Sequence, residues 1–196
     1  LIEFSDEVMR EKVLFMTRLL EETFQTKMLS HRAGRWAFDS RYAQLLIELG
    51  YQVDCSVTPR VNWRNAKGAP QGNGGTNYQH FPDHAYFIDT DDISRAGNSP
   101  LLEVPMSIQY KHPAWLNTVK QGYDRLRGKY RSPSVNWLRP SGGNASQMIQ
   151  VAQQCLSQGH DYVEFMLHSS EFMPGGSPTF KDEAAIEGLY QDLEVL

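Results

Sequence analysis

Residues 30–59 read SHRAGRWAFDSRYAQLLIELGYQVDCSVTP and decide how the rest of the chain is interpreted. An apolar helix that closes at Gly50 separates two short β-type segments, at 27–32 and 51–57. Strand, helix and strand in this order predict a βα unit. The polar turn after the first strand and Asp54 in the second then lie where α/β folds keep their chemistry.

Arg32 ends the first of these strands and Asp54 lies inside the second. Brought together, a guanidinium and a carboxylate can form a bidentate, charge-assisted pair that orients a third group. A purely structural salt bridge is the alternative, and breaking such a buried pair typically costs about 3–5 kcal/mol. The pattern alone leaves both interpretations open.

The segments on either side continue the alternation of helices and strands. A helix is expected from Ser5 to about Gln25, with Met9, Val13, Met16, Leu20 and Phe24 at helical spacing. Further strands are expected at 101–108, 134–138 and 162–167, and further helices at 113–127, 144–159 and 181–193. Pro105 predicts an edge strand or a bulge, and the apolar run at 162–167 predicts a strand buried in a parallel sheet. The pattern predicts an α/β fold in one domain, residues 1–196.

Residues 60–100 differ from the rest because glycines, asparagines and prolines crowd together there, followed by aromatic and acidic side chains. So long an irregular insertion is usually functional or mobile, and its aromatic content argues against simple disorder. Within it His80 and His84 have the four-residue spacing that places two zinc ligands on one helix face. Pro82 interrupts that helix, so a solvated loop is the default and a metal site the alternative.

Composition excludes several classes of function. The formal net charge is -4, and the basic residues are too scattered for a nucleic-acid partner. One modest basic group is interpreted as a solvated helix end: Lys120, Arg125, Arg127, Lys129 and Arg131. Cys55 and Cys155 are expected to be free thiols, and no apolar run is long enough for a membrane span. The chain begins like the middle of a protein and has no signal-peptide pattern, which favours a cytoplasmic location.

His168 follows the apolar run at 162–167 and so lies at the C-terminal end of a predicted strand. A histidine in that position can act as a general acid if a carboxylate keeps it protonated. A structural, hydrogen-bonded histidine is the alternative. The neighbouring serines, Ser169 and Ser170, do not indicate a serine esterase, because no Gly-x-Ser-x-Gly turn occurs in the chain.

Three segments together resemble the polysaccharide deacetylase family of carbohydrate esterases. They are Arg32-Ala33-Gly34-Arg35-Trp36, Val53-Asp54-Cys55-Ser56 and Met166-Leu167-His168. The stretch LHSSEFMPGG at 167–176 is similar to a bacterial, exopolysaccharide-associated branch of that family. The resemblance implies a distorted (β/α) barrel with a divalent metal, usually zinc, at its rim. It also implies a hydrolase that removes acetyl groups from an acylated polysaccharide or oligosaccharide with a metal-activated water, an Asp base and a His acid.

The resemblance also implies residue roles. Arg32 would tether the base, Asp54 would tune the acid, and His168 would be that acid. Substrate contacts are expected from Arg35, whose backbone would help hold the oxyanion, and from Trp36 and Trp63.

The departures from the family pattern concern the metal. In the family an Asp pair and a His pair precede the Arg motif, whereas the residues before Arg32 here predict one helix. We therefore expect a barrel that is incomplete at its N-terminus, no metal bound by this chain, and no activity of the chain alone. Ala33 and Gly34 stand where the family usually has prolines, and Cys55 where it often has Trp. The alternatives are a non-catalytic carbohydrate-binding or assembly module, and a homo-oligomer in which two chains complete each other's barrel.

Overall fold

The computed structural model describes residues 1–112 and 133–196, together with Leu116 and Leu126. They form two compact units, an N-terminal unit, Leu1–Pro105, and a C-terminal unit, Met106–Leu196. Each unit combines helices with a small sheet, which confirms the α/β class. The single domain over 1–196 stays a prediction. The predicted basic group at 120–131 and, apart from Leu116 and Leu126, the helix at 113–127 lie outside the described residues.

The N-terminal unit contains a four-stranded sheet in the order β1-β2-β4-β3. Its elements are α1 (Asp6–Phe24), β1 (Ser30–His31), a 3-10 turn (Gly34–Trp36), α2 (Ser40–Glu48), β2 (Val53–Asp54), β3 (Tyr86–Phe87) and β4 (Leu102–Glu103). Strands β1, β2 and β4 are parallel, and β3 is antiparallel to β4. The register aligns His31 with Asp54 and Asp54 with Glu103, so these three residues form one row at the C-terminal ends of the parallel strands.

Local chemistry explains where α2 begins and ends. Asp39 caps it, because its Oδ1 accepts a hydrogen bond of 2.9 Å from the Tyr42 amide. Gly50 follows the helix with φ +82°, a left-handed conformation that glycine adopts without a steric penalty. The end of this helix at Gly50 was predicted from the sequence and is confirmed.

Helix α1 buries a narrower stripe than its apolar pattern predicts. Met9, Val13 and Thr17 face inward, whereas Met16 and Phe24 are exposed. Thr17 takes the inner position because its hydroxyl donates to the Val13 carbonyl and shares a 2.8 Å hydrogen bond with the Tyr51 hydroxyl. The hydrogen-bonded Thr17 hydroxyl thus occupies the inner side of α1, where Met16 was expected to make an apolar contact.

The segment with Pro105 does not form an edge strand. It contributes β4, which lies between β2 and β3, and Pro105 follows the end of that strand, where its missing amide costs no ladder hydrogen bond. The insertion at 60–100 is mostly irregular, as expected. It nevertheless supplies β3 and two isolated bridges, Asn62 with Asn77 and Ile88 with Ala96.

The C-terminal unit packs helices beside a two-stranded antiparallel sheet. Its elements are β5 (Ile108–Tyr110), β6 (Val135–Trp137), α3 (Ala145–Ser157), a 3-10 turn (Ser169–Phe172) and α4 (Glu183–Val195). Phe180, Ile186 and Leu189 form a buried cluster. Asp192 of α4 accepts hydrogen bonds from the amides of Gly143 and Asn144, so it fastens the start of α3.

The prediction of a buried strand at 162–167 is wrong for this structure. The segment is extended without a continuous ladder, and Val163 and Phe165 are 41% and 36% exposed. It is held by isolated hydrogen bonds, including Ser107 amide to Glu164 carbonyl and Met166 amide to Leu138 carbonyl, both 3.3 Å. An apolar run forms a buried strand only where it joins a sheet whose two faces are covered by other elements.

The described residues form two small sheets and no closed barrel, so the (β/α) barrel stays a prediction. None of the helices in the described parts of the chain combines the length and apolar character needed to cross a bilayer.

We expect Leu46→Ala to lower the free energy of unfolding of the N-terminal unit by about 2–5 kcal/mol, because it leaves a cavity at a fully buried site in α2. Leu19→Ala on α1 is the matched control. Leu19 is 45% exposed, so its loss should cost about 0.5 kcal/mol or less. Urea denaturation followed by circular dichroism measures both. Equal losses in the two variants would contradict the placement of α2 in the core.

Candidate functional site

The carboxyl of Asp54, at the end of β2, is fully buried in the N-terminal unit, with 0% exposure. Its Oδ1 lies 2.6 Å from Nδ1 of His31 and accepts from the Ser56 hydroxyl at 2.9 Å. Its Oδ2 accepts from the Ser56 amide at 2.9 Å. The Ser56 hydroxyl oxygen in turn accepts from the Ala33 amide at 2.7 Å. Burial without such partners would be strongly destabilising, so these contacts explain how a carboxyl persists there.

His31 is held at both ring nitrogens. Its Nε2 lies 2.9 Å from the Tyr42 hydroxyl. Burial, followed by the nearby Asp54 carboxylate, raises the pKa of Tyr42, so the phenol keeps its proton and can donate it to Nε2. We therefore assign the Nδ1 proton to the bond with Asp54. A histidine oriented by a buried carboxylate is the arrangement used in general acid and base catalysis.

Arg32 does not pair with Asp54, so that part of the sequence prediction is wrong. Its guanidinium lies over the Trp36 ring at 5.1 Å and donates to the Ala33 carbonyl at 3.4 Å. Successive side chains of a strand point to opposite faces, and the register places His31, not Arg32, opposite Asp54. Among residues 1–112 and 133–196, no carboxylate forms an ion pair with Arg32.

The turn after β1 has an unusual backbone, since Arg35 and Trp36 both have φ +57°. Trp36 is only 7% exposed, and the Arg32 guanidinium lies over its ring. Arg35 is exposed and donates to the Lys67 carbonyl at 3.3 Å. Trp63 is half-buried, with Nε1 donating to the Thr58 hydroxyl at 2.8 Å. The predicted substrate contacts of Arg35, Trp36 and Trp63 stay predictions.

Two residues of the 60–100 insertion hold this turn in place. The fully buried Tyr78 donates its hydroxyl proton to the Trp36 carbonyl at 2.6 Å, and the Thr76 hydroxyl donates to the Phe38 carbonyl at 2.6 Å. Burial raises the pKa of Tyr78, so its hydroxyl remains a donor. The insertion is thus part of the support of the turn that carries Arg32.

His168 belongs to the C-terminal unit, where its side chain is exposed at the start of a 3-10 turn. Its amide donates to Oε2 of Glu171 at 2.8 Å, and the other carboxylate oxygen of Glu171 accepts from Arg139 at 2.9 Å. Burial acts to raise the pKa of Glu171, but the His168 amide and the Arg139 guanidinium outweigh it and lower that pKa. An ionised, buried carboxylate therefore fixes the backbone that carries His168. Tuning of His168 by Asp54 stays a prediction.

A cleft of about 540 Å³ opens beside His31 in the N-terminal unit. Its polar lining side chains are Lys12, Thr17, His31, Arg32, Tyr42 and Tyr51. Apolar residues of α1, together with Leu1 and Gly34, form the rest of its wall, so α1 and the end of β1 share one concave surface.

The paired histidines of the insertion are not on a helix. Residues 80–84 form turns and bends, both imidazoles are exposed, and Nδ1 of His84 lies 3.6 Å from a carboxylate oxygen of Asp83. Within the described part of the chain, no group of three or more His, Cys, Asp or Glu side chains is placed to hold a metal ion. These residues therefore do not offer the donor set that zinc requires.

No family model, curated protein or solved structure matches this chain. The resemblance to polysaccharide deacetylases accordingly depends on the sequence motifs alone.

The sequence predicts Arg32 at the end of one strand and Asp54 inside the next, but it gave no indication of His31, Tyr42 or Glu171 as site residues. His31 could have been found by aligning the two short strands at their ends, since that register places it opposite Asp54. Glu171 gave no such signal, because its partner Arg139 is 32 residues away in the sequence.

We expect Asp54→Ala to cost about 3–5 kcal/mol of stability, because it leaves His31, the Ser56 amide and the Ser56 hydroxyl without their buried acceptor. Asp6→Ala is the matched control. Asp6 pairs with Arg41 at the surface, so its loss should cost about 1 kcal/mol or less. Chemical denaturation at pH 7 distinguishes the two. A loss at Asp54 no larger than that at Asp6 would contradict the role assigned to the buried carboxyl.

Glu171 should make the stability of the C-terminal unit depend on pH in the acid range. Its folded pKa lies below the ordinary value of 4.5, so its contribution is complete above about pH 4.5 and is lost as the pH falls through the folded pKa. Glu171→Gln should therefore flatten the acid limb of a plot of stability against pH. Exposed Glu183→Gln is the control and should leave the limb unchanged. An unaltered acid limb in Glu171→Gln would contradict the assignment.

Proposed function

We propose that this chain is the C-terminal part of a hydrolase of the polysaccharide deacetylase type, which removes acetyl groups from an acylated carbohydrate. The described residues do not fit the zinc ion that this family implies, so the roles given below are those of the chain's own residues. On this proposal the metal ligands come from outside this chain, and the chain alone is inactive.

The observation that carries the proposal is the state of Arg32. It is exposed at the C-terminal edge of parallel strands, its guanidinium is held over Trp36, and no described carboxylate neutralises it. A guanidinium in that position is ready to receive a carboxylate in bidentate geometry. The role proposed for Arg32 is to hold the carboxylate base of the complete site.

The other two site residues have different roles, one of support and one in the chemistry. Asp54 acts as a positioning residue, because Ser56 connects it to the amide of Ala33, next to Arg32. His168 is the proposed general acid, and its exposed imidazole can reach a ligand while Glu171 fixes its backbone.

A non-catalytic carbohydrate-binding module is the second candidate. Trp63 favours it, because the half-buried indole is fixed by its hydrogen bond to Thr58 and could serve as a preset stacking surface for a sugar ring. This candidate requires binding without acetate release.

Acetate release from acetylated chitooligosaccharide in the presence of Zn²⁺ tests the proposal. We expect no release by the 196-residue chain and release by a form extended upstream in its reading frame. Arg32→Met in the extended form should lower kcat by about 100-fold or more, because the base loses its partner. Arg18→Met, on α1, is the matched control and should leave kcat unchanged.

Acetate release by the 196-residue chain would overturn the assignment of the metal ligands to residues outside it. An extended form that binds the oligosaccharide and is weakened by Trp63→Ala, but releases no acetate, would replace the hydrolase proposal with the binding module.

A further inference from the structure

The cleft beside His31 has a composition that does not match a sugar. Its apolar wall comes mainly from α1, where it includes Val13, Met16 and Leu20. Its volume of about 540 Å³ lies within the usual range of small-molecule sites. An extended apolar group can therefore be accommodated along the helix.

The polar groups of the opposite wall already satisfy one another. The Thr17 hydroxyl bonds the Tyr51 hydroxyl at 2.8 Å, and the Tyr42 hydroxyl bonds His31 Nε2 at 2.9 Å. A sugar brings many hydroxyl groups that need partners, and burying them against paired groups is unfavourable. A ligand with few polar atoms loses little in the same place.

The charges in the cleft have one sign. Lys12 and Arg32 contribute to its lining, none of the lining residues is Asp or Glu, and neither cation has a carboxylate partner among the described residues. His31 is already engaged by Asp54. In a chain of formal net charge -4, this is a local positive site that attracts an anionic group.

We propose that this cleft binds a small amphipathic carboxylate, a single free molecule with an aliphatic body against α1 and its carboxylate at Lys12 and Arg32. The proposal needs neither a metal nor residues outside the N-terminal unit, so octanoate binding by the 196-residue chain tests it separately from the hydrolase proposal, although Arg32 takes part in both.

Isothermal titration calorimetry with octanoate on the 196-residue chain tests the site, with 1-octanol as the neutral analogue. We expect octanoate to bind with a Kd on the order of 0.1–1 mM. The alcohol should bind at least about tenfold more weakly, because it lacks the charge-assisted hydrogen bonds. Equal affinities, or no binding of octanoate, would overturn the proposal.

Variants locate the ligand. Lys12→Met and Arg32→Met should each weaken octanoate binding about tenfold, whereas Arg18→Met, the same change at a cation outside the cleft, should not. Met16→Gln on the apolar wall should also weaken it, and Leu19→Gln, an exposed α1 residue outside the cleft, should not. If a cleft variant and its control weakened octanoate binding equally, the ligand would bind elsewhere. Co-sedimentation of the chain with phosphatidylglycerol vesicles is a further test. Binding to the vesicles that octanoate does not reduce would overturn the proposal and would indicate a lipid surface as the partner instead.

Discussion

The carboxyl of Asp54 holds together the ends of two parallel strands and the turn that follows the first. Because it is buried away from water, it requires hydrogen-bond donors, and His31 and Ser56 supply them. Ser56 extends this network to the amide of Ala33. The strand ends, the orientation of the His31 ring and the start of the Arg32 turn therefore depend on one side chain. The residues that support the candidate site, Asp54 and Ser56, are therefore buried in the N-terminal unit, whereas Arg32 is exposed at the ends of the strands.

Signals within one turn of the chain predicted the described helices well. The features that depend on contacts between residues distant in sequence were predicted poorly. Asp39 and Gly50 mark α2 because a capping carboxylate and a left-handed glycine act on the nearest turn only. The prediction for the run at 162–167 was wrong because its composition does not show whether it pairs with other strands or whether its faces are covered. Likewise α1 was predicted by its period, but the inner position of Thr17 depends on the Tyr51 hydroxyl, which is distant in sequence.

For the candidate site too, the features set by the order of the elements were predicted, and those set by distant contacts were not. Placing Arg32 at the end of the first strand and Asp54 in the second required only the order of the elements, and the structure has Arg32 directly after β1 and Asp54 in β2. Deciding which residue faces Asp54 required the register, and a difference of one residue exchanged Arg32 for His31. The Arg139 and Glu171 pair is a purely tertiary contact, so no spacing in the sequence could indicate that a carboxylate anchors the backbone of His168.

The hydrogen bond from the Tyr78 hydroxyl to the Trp36 carbonyl gives the 60–100 insertion a structural role in the N-terminal unit. Two consecutive residues with φ +57°, Arg35 and Trp36, hold a backbone conformation that costs about 1–3 kcal/mol per residue, so the chain would not keep it unaided. The hydrogen bond from Tyr78 to the Trp36 carbonyl helps offset that strain. A substitution of Tyr78, which belongs to no strand, would therefore affect the turn that follows Arg32 through the Trp36 carbonyl. Substitutions near Tyr78 could therefore change the conformation of the turn that carries Arg32 while the parallel strands β1, β2 and β4 keep their sequences.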